Sequence, residues 1–259
     1  MLLVKLFLVP AFIAVIAICG RVWGAGVAGM LSGLPVIAGP IVFFIYLENG
    51  LTFATGAAGA TVAGVAALSS FCFSYAWLCT RCTWQSALFL SCVIYFAAAL
   101  AIGAFNLSLN QSVVLSVSVL LLQIYFSPKL EKSPLMAPAT TNEILFRMGF
   151  AFMLVLVVTR LAESIGYTYS GIFAAFPIAG STIALFSHRN YSALHAVRSL
   201  KSMKQGLISM LVFFYVLAAI SNRLGFLAAL LFAACISLGL QVAIVYAKQN
   251  YKNSCHSAR

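Results

Sequence analysis

The sequence predicts an all-α polytopic membrane protein of about nine transmembrane helices, built as an inverted-topology repeat of four helices, a linking helix and four more (4+1+4). Three observations predict it: a composition poor in charge, a series of apolar runs of spanning length, and a self-match at one fixed offset. Hydrophobic residues make up 63% of the 259-residue chain and charged residues 7%. A soluble chain carries about a quarter charged residues, and no water-soluble core of this length could hide so large an apolar fraction.

A spanning helix needs about 20 mostly apolar residues. Such runs occur at 3–20, 28–47, 51–77, 84–105, 112–126, 144–163, 168–187, 203–221 and 224–247. The first could be mistaken for a cleavable signal. Arg21 follows it, however, where a cleavage site would carry small residues, so it reads as a retained span. The organisation expected is a first four-helix repeat over 1–105, a linking helix and inner loop over 106–143, a second repeat over 144–247 and a cytoplasmic tail over 248–259.

The formal charge of +11 is explained by topology rather than by nucleic acid. With the N-terminus outside and the C-terminus in the cytoplasm, twelve of the fifteen basic residues fall on the inner side, and only Lys5, Arg160 and Arg223 on the outer. That is the positive-inside bias, and it places a multi-pass chain in a cell inner membrane with the lipid bilayer as its main partner. The basic stretch 189–204, RNYSALHAVRSLKSMK, reads as a connector lying along anionic headgroups.

The self-match sets GMLSGLP (29–35) over GIFAAFP (171–177), an offset of 142 residues that then runs without a gap. It carries Gly29 onto Gly171, Pro35 onto Pro177, Phe44 onto Phe186, Gly64 onto Gly206 and Phe71 onto Phe213, and Lys5 onto Arg147. Apolar matches are cheap in a membrane chain, but glycine and proline each impose a backbone conformation. The unmatched fifth span turns the second copy upside down, the plan of many secondary transporters, whose sites lie at broken helices near the bilayer midplane.

The candidate path follows from those breaks: Gly33, Pro35, Gly39 and Pro40 in the first copy, and Phe176, Pro177, Gly180, Ser181 and Thr182 in the second. Pro35 frees the carbonyl of Leu31, and Pro177 that of Phe173. Such carbonyls are tolerated only where protein, hydroxyls or a wet cavity satisfy them, so both breaks are expected to face the interior. Ser181 and Thr182, which replace Gly39 and Pro40, are expected to supply hydroxyls there. The bland alternative is a kink that lets helices pack closely.

Few charged residues remain as candidates. Arg21 follows span 1, Glu48 ends span 2, and Arg160 and Glu163, three apart on span 6, can pair as neighbours on one helix face. Glu131 and Glu143 are read into the inner loop, and His188 as a headgroup contact. The single CxxC, Cys79 to Cys82, lacks a second pair and nearby histidines, so it is a weak metal or redox signal. It sits between Trp77 and Trp84, which read as interface anchors. With no nucleotide loop, zinc-protease helix or serine motif, neither enzymatic activity nor a cofactor is expected.

A basic residue near the end of one span followed by G-x-x-x-x-[LF]-P in the next resembles the GlpM-like small bacterial integral membrane proteins, in duplicated form. The residues concerned are Arg21, Gly29, Leu34 and Pro35, and Arg160, Gly171, Phe176 and Pro177. The resemblance implies a bacterial inner-membrane protein and brings no functional residues with it. Two functions fit: a permease for a small-molecule solute with its path at the repeat interface, or a non-transporting accessory or scaffold in envelope or lipid metabolism. A polar, wet cavity between the two breaks would favour the first. The charge bias makes a direct prediction: a topology reporter fused after Arg259 reports the cytoplasm and one inserted near Asn106 the opposite side. A C-terminus found outside would remove the argument for inversion.

Overall fold

The computed structural model describes the backbone of residues 2–128, 141–162 and 166–257, and the side chains of 7–24, 27–128, 141–153, 168–247 and 250. Within them are ten helices: α1 Leu2–Trp23, α2 Ala25–Ser32, α3 Ala38–Leu78, α4 Trp84–Ala104, α5 Leu109–Tyr125, α6 Thr141–Ala162, α7 Gly166–Ala174, α8 Ile178–Asn190, α9 Ala193–Leu224 and α10 Phe226–Ser257. Five stretches are long and apolar enough to cross a membrane: Ala38–Leu78, Trp84–Ala104, Thr168–Asn190, Ala193–Leu224 and Phe226–Ala247. Phe7–Trp23 and Leu109–Tyr125 are shorter apolar helices. Large side chains such as Phe89, Leu121, Leu231 and Val242 stand exposed around the outside. In water that surface would be untenable, so the chain is an integral membrane protein.

The core forms where α3 meets α4, α5, α7 and α9, and where α9 in turn meets α2, α8 and α10. Helix α1 packs on α6 and α2. Helix α3 is two arms joined at Gly50, whose φ of 80° and ψ of −177° are open to glycine and to few other residues. Short loops alternate the helix directions, giving the bundle two ends. One carries Asn106; the other carries Trp77, whose Nε1 donates to the carbonyl of Phe126 at 3.0 Å. At the Trp77 end Arg81 lies over the Trp77 ring and Arg189 over the Trp84 ring.

The 142-residue offset relates element boundaries as well as residues. It carries α2 into α7, the second arm of α3 onto the start of α9, and the first residue of α4 onto the first of α10. Gly50 falls on Ser192, where the backbone is also non-helical, with φ −169° and ψ 167°. The two breaks occur where the prolines place them, between α2 and α3 and between α7 and α8.

Close approaches obey the same offset in a reciprocal way. A Cβ on Gly29 would stand 2.3 Å from the carbonyl oxygen of Ser199, and one on Gly171 2.1 Å from that of Ala57. A Cβ on Gly206 would stand 2.3 Å from the oxygen of Met30, and one on Gly64 3.0 Å from that of Ile172. Each residue in one pair has its offset counterpart in the other. Thus α2 is seated on α9 and α7 on α3, at depths only glycine permits.

Two expectations are corrected. The basic stretch 189–204 does not lie along the surface: from Ala193 it is the beginning of α9, with His195, Ala196, Val197, Leu200 and Met203 buried. The reason is steric, because Gly29 and Gly33 let α2 press against exactly this part of α9. Nor is Glu143 in a loop; it lies in the first turn of α6. Glu131 lies outside the described residues.

The glycine contacts yield a stability prediction. Gly29→Ala and Gly171→Ala each force a carbonyl away and are expected to cost about 1–3 kcal/mol. Gly149→Ala, whose Cβ meets nothing within 4 Å, should be neutral or slightly stabilising. Thermal unfolding of the detergent-purified protein measures the difference; equal melting of all three variants would contradict the packing described.

Candidate functional site

The broken helices close on themselves more completely than proline chemistry alone requires. The Leu31 carbonyl, freed by Pro35, accepts from the Leu34 N–H at 3.2 Å, and the Phe173 carbonyl, freed by Pro177, accepts from the Phe176 N–H at 2.9 Å. A tightened last turn thus does the work expected of neighbours or water. Both breaks converge on α9. A Cβ on Gly33 would meet the Met203 carbonyl at 2.3 Å, and one on Gly180 the Met203 methyl at 2.8 Å. Met203, whose sulfur lies 3.7 Å from Cys72 Sγ, is the side chain the sequence reading missed.

The candidate path residues do not meet in one polar cavity. Phe176, Pro177, Gly180, Ser181 and Thr182 sit in an almost fully buried segment. The Thr182 hydroxyl donates to the Ile178 carbonyl at 2.6 Å and the Ser181 hydroxyl to the same oxygen at 3.1 Å. Their hydrogen bonding is spent inside α8. Pro35, Gly39 and Pro40 instead line a groove of about 320 Å³ with Phe43, Phe213 and Leu238, and its walls are almost wholly apolar.

A second cavity has the polarity that the breaks lack. It occupies about 310 Å³ at the Asn106 end, between α3, α4, α5, α7 and α9, and is lined by Thr55, Gly59, Ala63, Asn106, Ser112 and Thr168 among others. Its origin is local. Gly56, Gly59, Ala60 and Ala63 share one face of α3 at helical spacing, and side chains this small leave the volume unfilled. Nothing in periodicity announces such a space, because it is made by what several helices fail to fill.

At the opposite end lies a buried ionic cluster. Arg147 and Glu143, four residues apart on α6, form an ion pair with side chains 5% and 7% exposed. The Arg147 guanidinium lies 5.5 Å from the Phe186 ring centroid, and the Tyr191 hydroxyl donates to Glu143 at 3.4 Å. Burial, then the Glu143 carboxylate, raises the Tyr191 phenol above its ordinary range, so it stays protonated as a donor. Nearby, Ser192 Oγ lies 2.8 Å from His195 Nδ1, and the His188 ring meets Tyr75 edge-on at 6.2 Å. His188 is thus half-buried, with its ring against Tyr75. The i, i+4 spacing of Glu143 and Arg147 was readable in the sequence, but assigning the glutamate to a loop hid it.

The remaining candidates are peripheral. Arg21 and Glu48 are exposed; the side chains of Arg160 and Glu163 lie outside the described residues. In the CxxC, Cys79 is buried and its thiol donates to the Ala76 carbonyl at 3.4 Å. Burial pushes that thiol up to about 12. Among the described residues no three His, Cys, Asp or Glu side chains gather to hold a metal ion. Comparison with protein-family models, curated proteins and solved structures returns no match, so the chemistry must be argued from this geometry alone.

The ion pair gives the clearest mutational expectation. Glu143→Ala leaves a buried guanidinium without its partner and is expected to destabilise by about 3–5 kcal/mol. Replacing both, Glu143→Gln with Arg147→Met, should recover much of that loss. A double variant as unstable as Glu143→Ala would show that the pair is not the relevant contact.

Proposed function

We propose that this protein is a small-solute permease of the inner membrane, working through two inverted repeats. The observation that carries the reading is the reciprocal seating of α2 on α9 and α7 on α3. Contacts that exchange partners under one offset are what a two-fold relation between repeats produces. The odd number of crossings between the copies supports an axis in the membrane plane, the 4+1+4 plan and a nine-span count. The charge bias supports an outside N-terminus, and the GlpM-like resemblance supports a bacterial source.

Under this reading the path runs past the repeat interface. The Asn106-end cavity is its outer vestibule, and the seats around Met203 form the closed centre. The offset carries Ala60 and Ala63 of the cavity wall onto Ser202 and Gln205 of α9, toward the other end. When the two repeats exchange conformations, the outer cavity closes and its counterpart beside Ser202 opens. The alternative, a non-transporting accessory or scaffold, draws support from the dry second break and the apolar groove at the first.

Coupling between the two ends separates these readings. In a cysteine-free background that remains monodisperse, Thr168→Cys and Ala218→Cys are joined across the outer cavity by a bifunctional maleimide. The reactivity of Ser202→Cys toward an impermeant thiol reagent applied from the cytoplasmic side is then measured. An alternating permease should show a several-fold faster reaction once the outer cavity is held shut. An unchanged rate is the scaffold's outcome and would end the permease proposal.

A further inference from the structure

We infer that the Asn106-end cavity is a binding site for a small, uncharged, hydrogen-bonding solute; the inference rests on the permease reading and specifies its substrate class. Size is the first argument. The cavity's volume of about 310 Å³ holds on the order of ten waters at about 30 Å³ each, and falls at the lower end of the range for small-molecule sites.

The second argument is the lining. The polar side chains are three hydroxyls, Thr55, Ser112 and Thr168, and one amide, Asn106; no ionisable side chain is among the lining residues. An ion entering such a site gives up hydration with no counter-charge to replace it, and that cost is prohibitive in a low-dielectric setting. A neutral polyol or amide exchanges water hydrogen bonds for hydroxyl ones at little net cost.

The third argument is an unmet hydrogen bond. The buried Oγ1 of Thr55 has no partner in the protein. Mid-helix threonines commonly bond back to the carbonyl four residues earlier, as Thr61 and Thr182 do here. Thr55 does not; the residue lines the cavity with its Oγ1 covered, and a rotation of its side chain would present that oxygen to a solute. Asn106 is also held distinctively: with φ 45° it is the one described non-glycine residue of positive φ, a conformation that asparagine tolerates better than most. Its amide sits at the turn between α4 and α5, beside the same space.

The test is isosmotic swelling of proteoliposomes containing the full chain, with glycerol, erythritol and urea as uncharged probes and potassium glutamate and choline chloride as charged ones. Gly59→Phe is the plugged control. A Cβ at Gly59 meets only the Ala218 and Leu109 side chains, both at 3.9 Å, so the ring can enter the cavity without moving backbone. Gly59→Ala keeps the cavity open and reports on folding. The expected result is entry of at least one uncharged probe several-fold faster than with Gly59→Phe, with Thr55→Val slowing it and the charged probes excluded. Glutamate or choline entering in a Gly59→Phe-sensitive way would overturn the uncharged assignment and leave the permease intact. No probe entering, with coupling between the cavity and Ser202 still present, would likewise overturn the assignment alone. No entry and no coupling would remove both readings.

Discussion

The structure depends on five glycines at which helix backbone comes up against helix backbone: Gly29, Gly33, Gly64, Gly171 and Gly206. Lipid tails are as apolar as leucine, so burying leucines drives no helix association inside a bilayer. Association there comes from close packing and interhelical hydrogen bonds. Glycine supplies the first by letting α2 and α7 reach the carbonyls of α9 and α3. Thr61 adds the second, its single hydroxyl proton shared between the Ala57 carbonyl and that of Gly171, both at 2.8 Å. Remove these approaches and the two short helices α2 and α7 have no seat. At 8 and 9 residues they are too short to stand alone.

That constraint explains why the broken helices can exist. A helix interrupted in hydrocarbon must satisfy the carbonyls it frees, and here each break tightens its last turn so that the next N–H reaches them. The tightened turns fit only because α9 passes close by at Met203, beside Gly33 and Gly180. The prolines fix where the chain breaks and the glycines fix what the break rests on.

Much of this was legible in the sequence, and the part that was not has a physical reason. The membrane class followed from composition. The offset of 142 residues picked out Gly29 with Gly171 and Gly64 with Gly206, because few residue types tolerate those backbones. What it could not say was that Gly29 meets the counterpart of Ala57 rather than of some other residue, since partner choice between helices leaves no local pattern. Ser181 and Thr182 were rightly seen as hydroxyls at a break, but their own Ile178 carbonyl is nearer than any solute. The Glu143–Arg147 pair was lost to a misplaced helix start. The polar cavity was invisible, because it is the volume that small residues on α3 leave against four other helices.

Where the 142-residue offset pairs unlike residues, the two halves of the chain differ in chemistry. The offset places Thr61 opposite Met203, a hydroxyl shared between two carbonyls opposite a flexible thioether at the meeting point of both breaks. It also carries Gly56 and Gly59, in the charge-free wall of the Asn106-end cavity, onto Arg198 and Lys201. The Glu143–Arg147–Tyr191 cluster belongs to the second half alone: the first half carries Met1, Lys5 and Asn49 at those positions. Under the permease proposal the two openings would therefore be unlike: the one at the Asn106 end is neutral, and the one at the opposite end is flanked by Arg198 and Lys201, with the buried Glu143–Arg147 pair at that end. An uncharged solute would feel little of that difference, whereas an anion would be retained at the cationic end and a cation repelled from it. Under that proposal, the asymmetry of charge between positions paired by the offset favours a cargo that carries none.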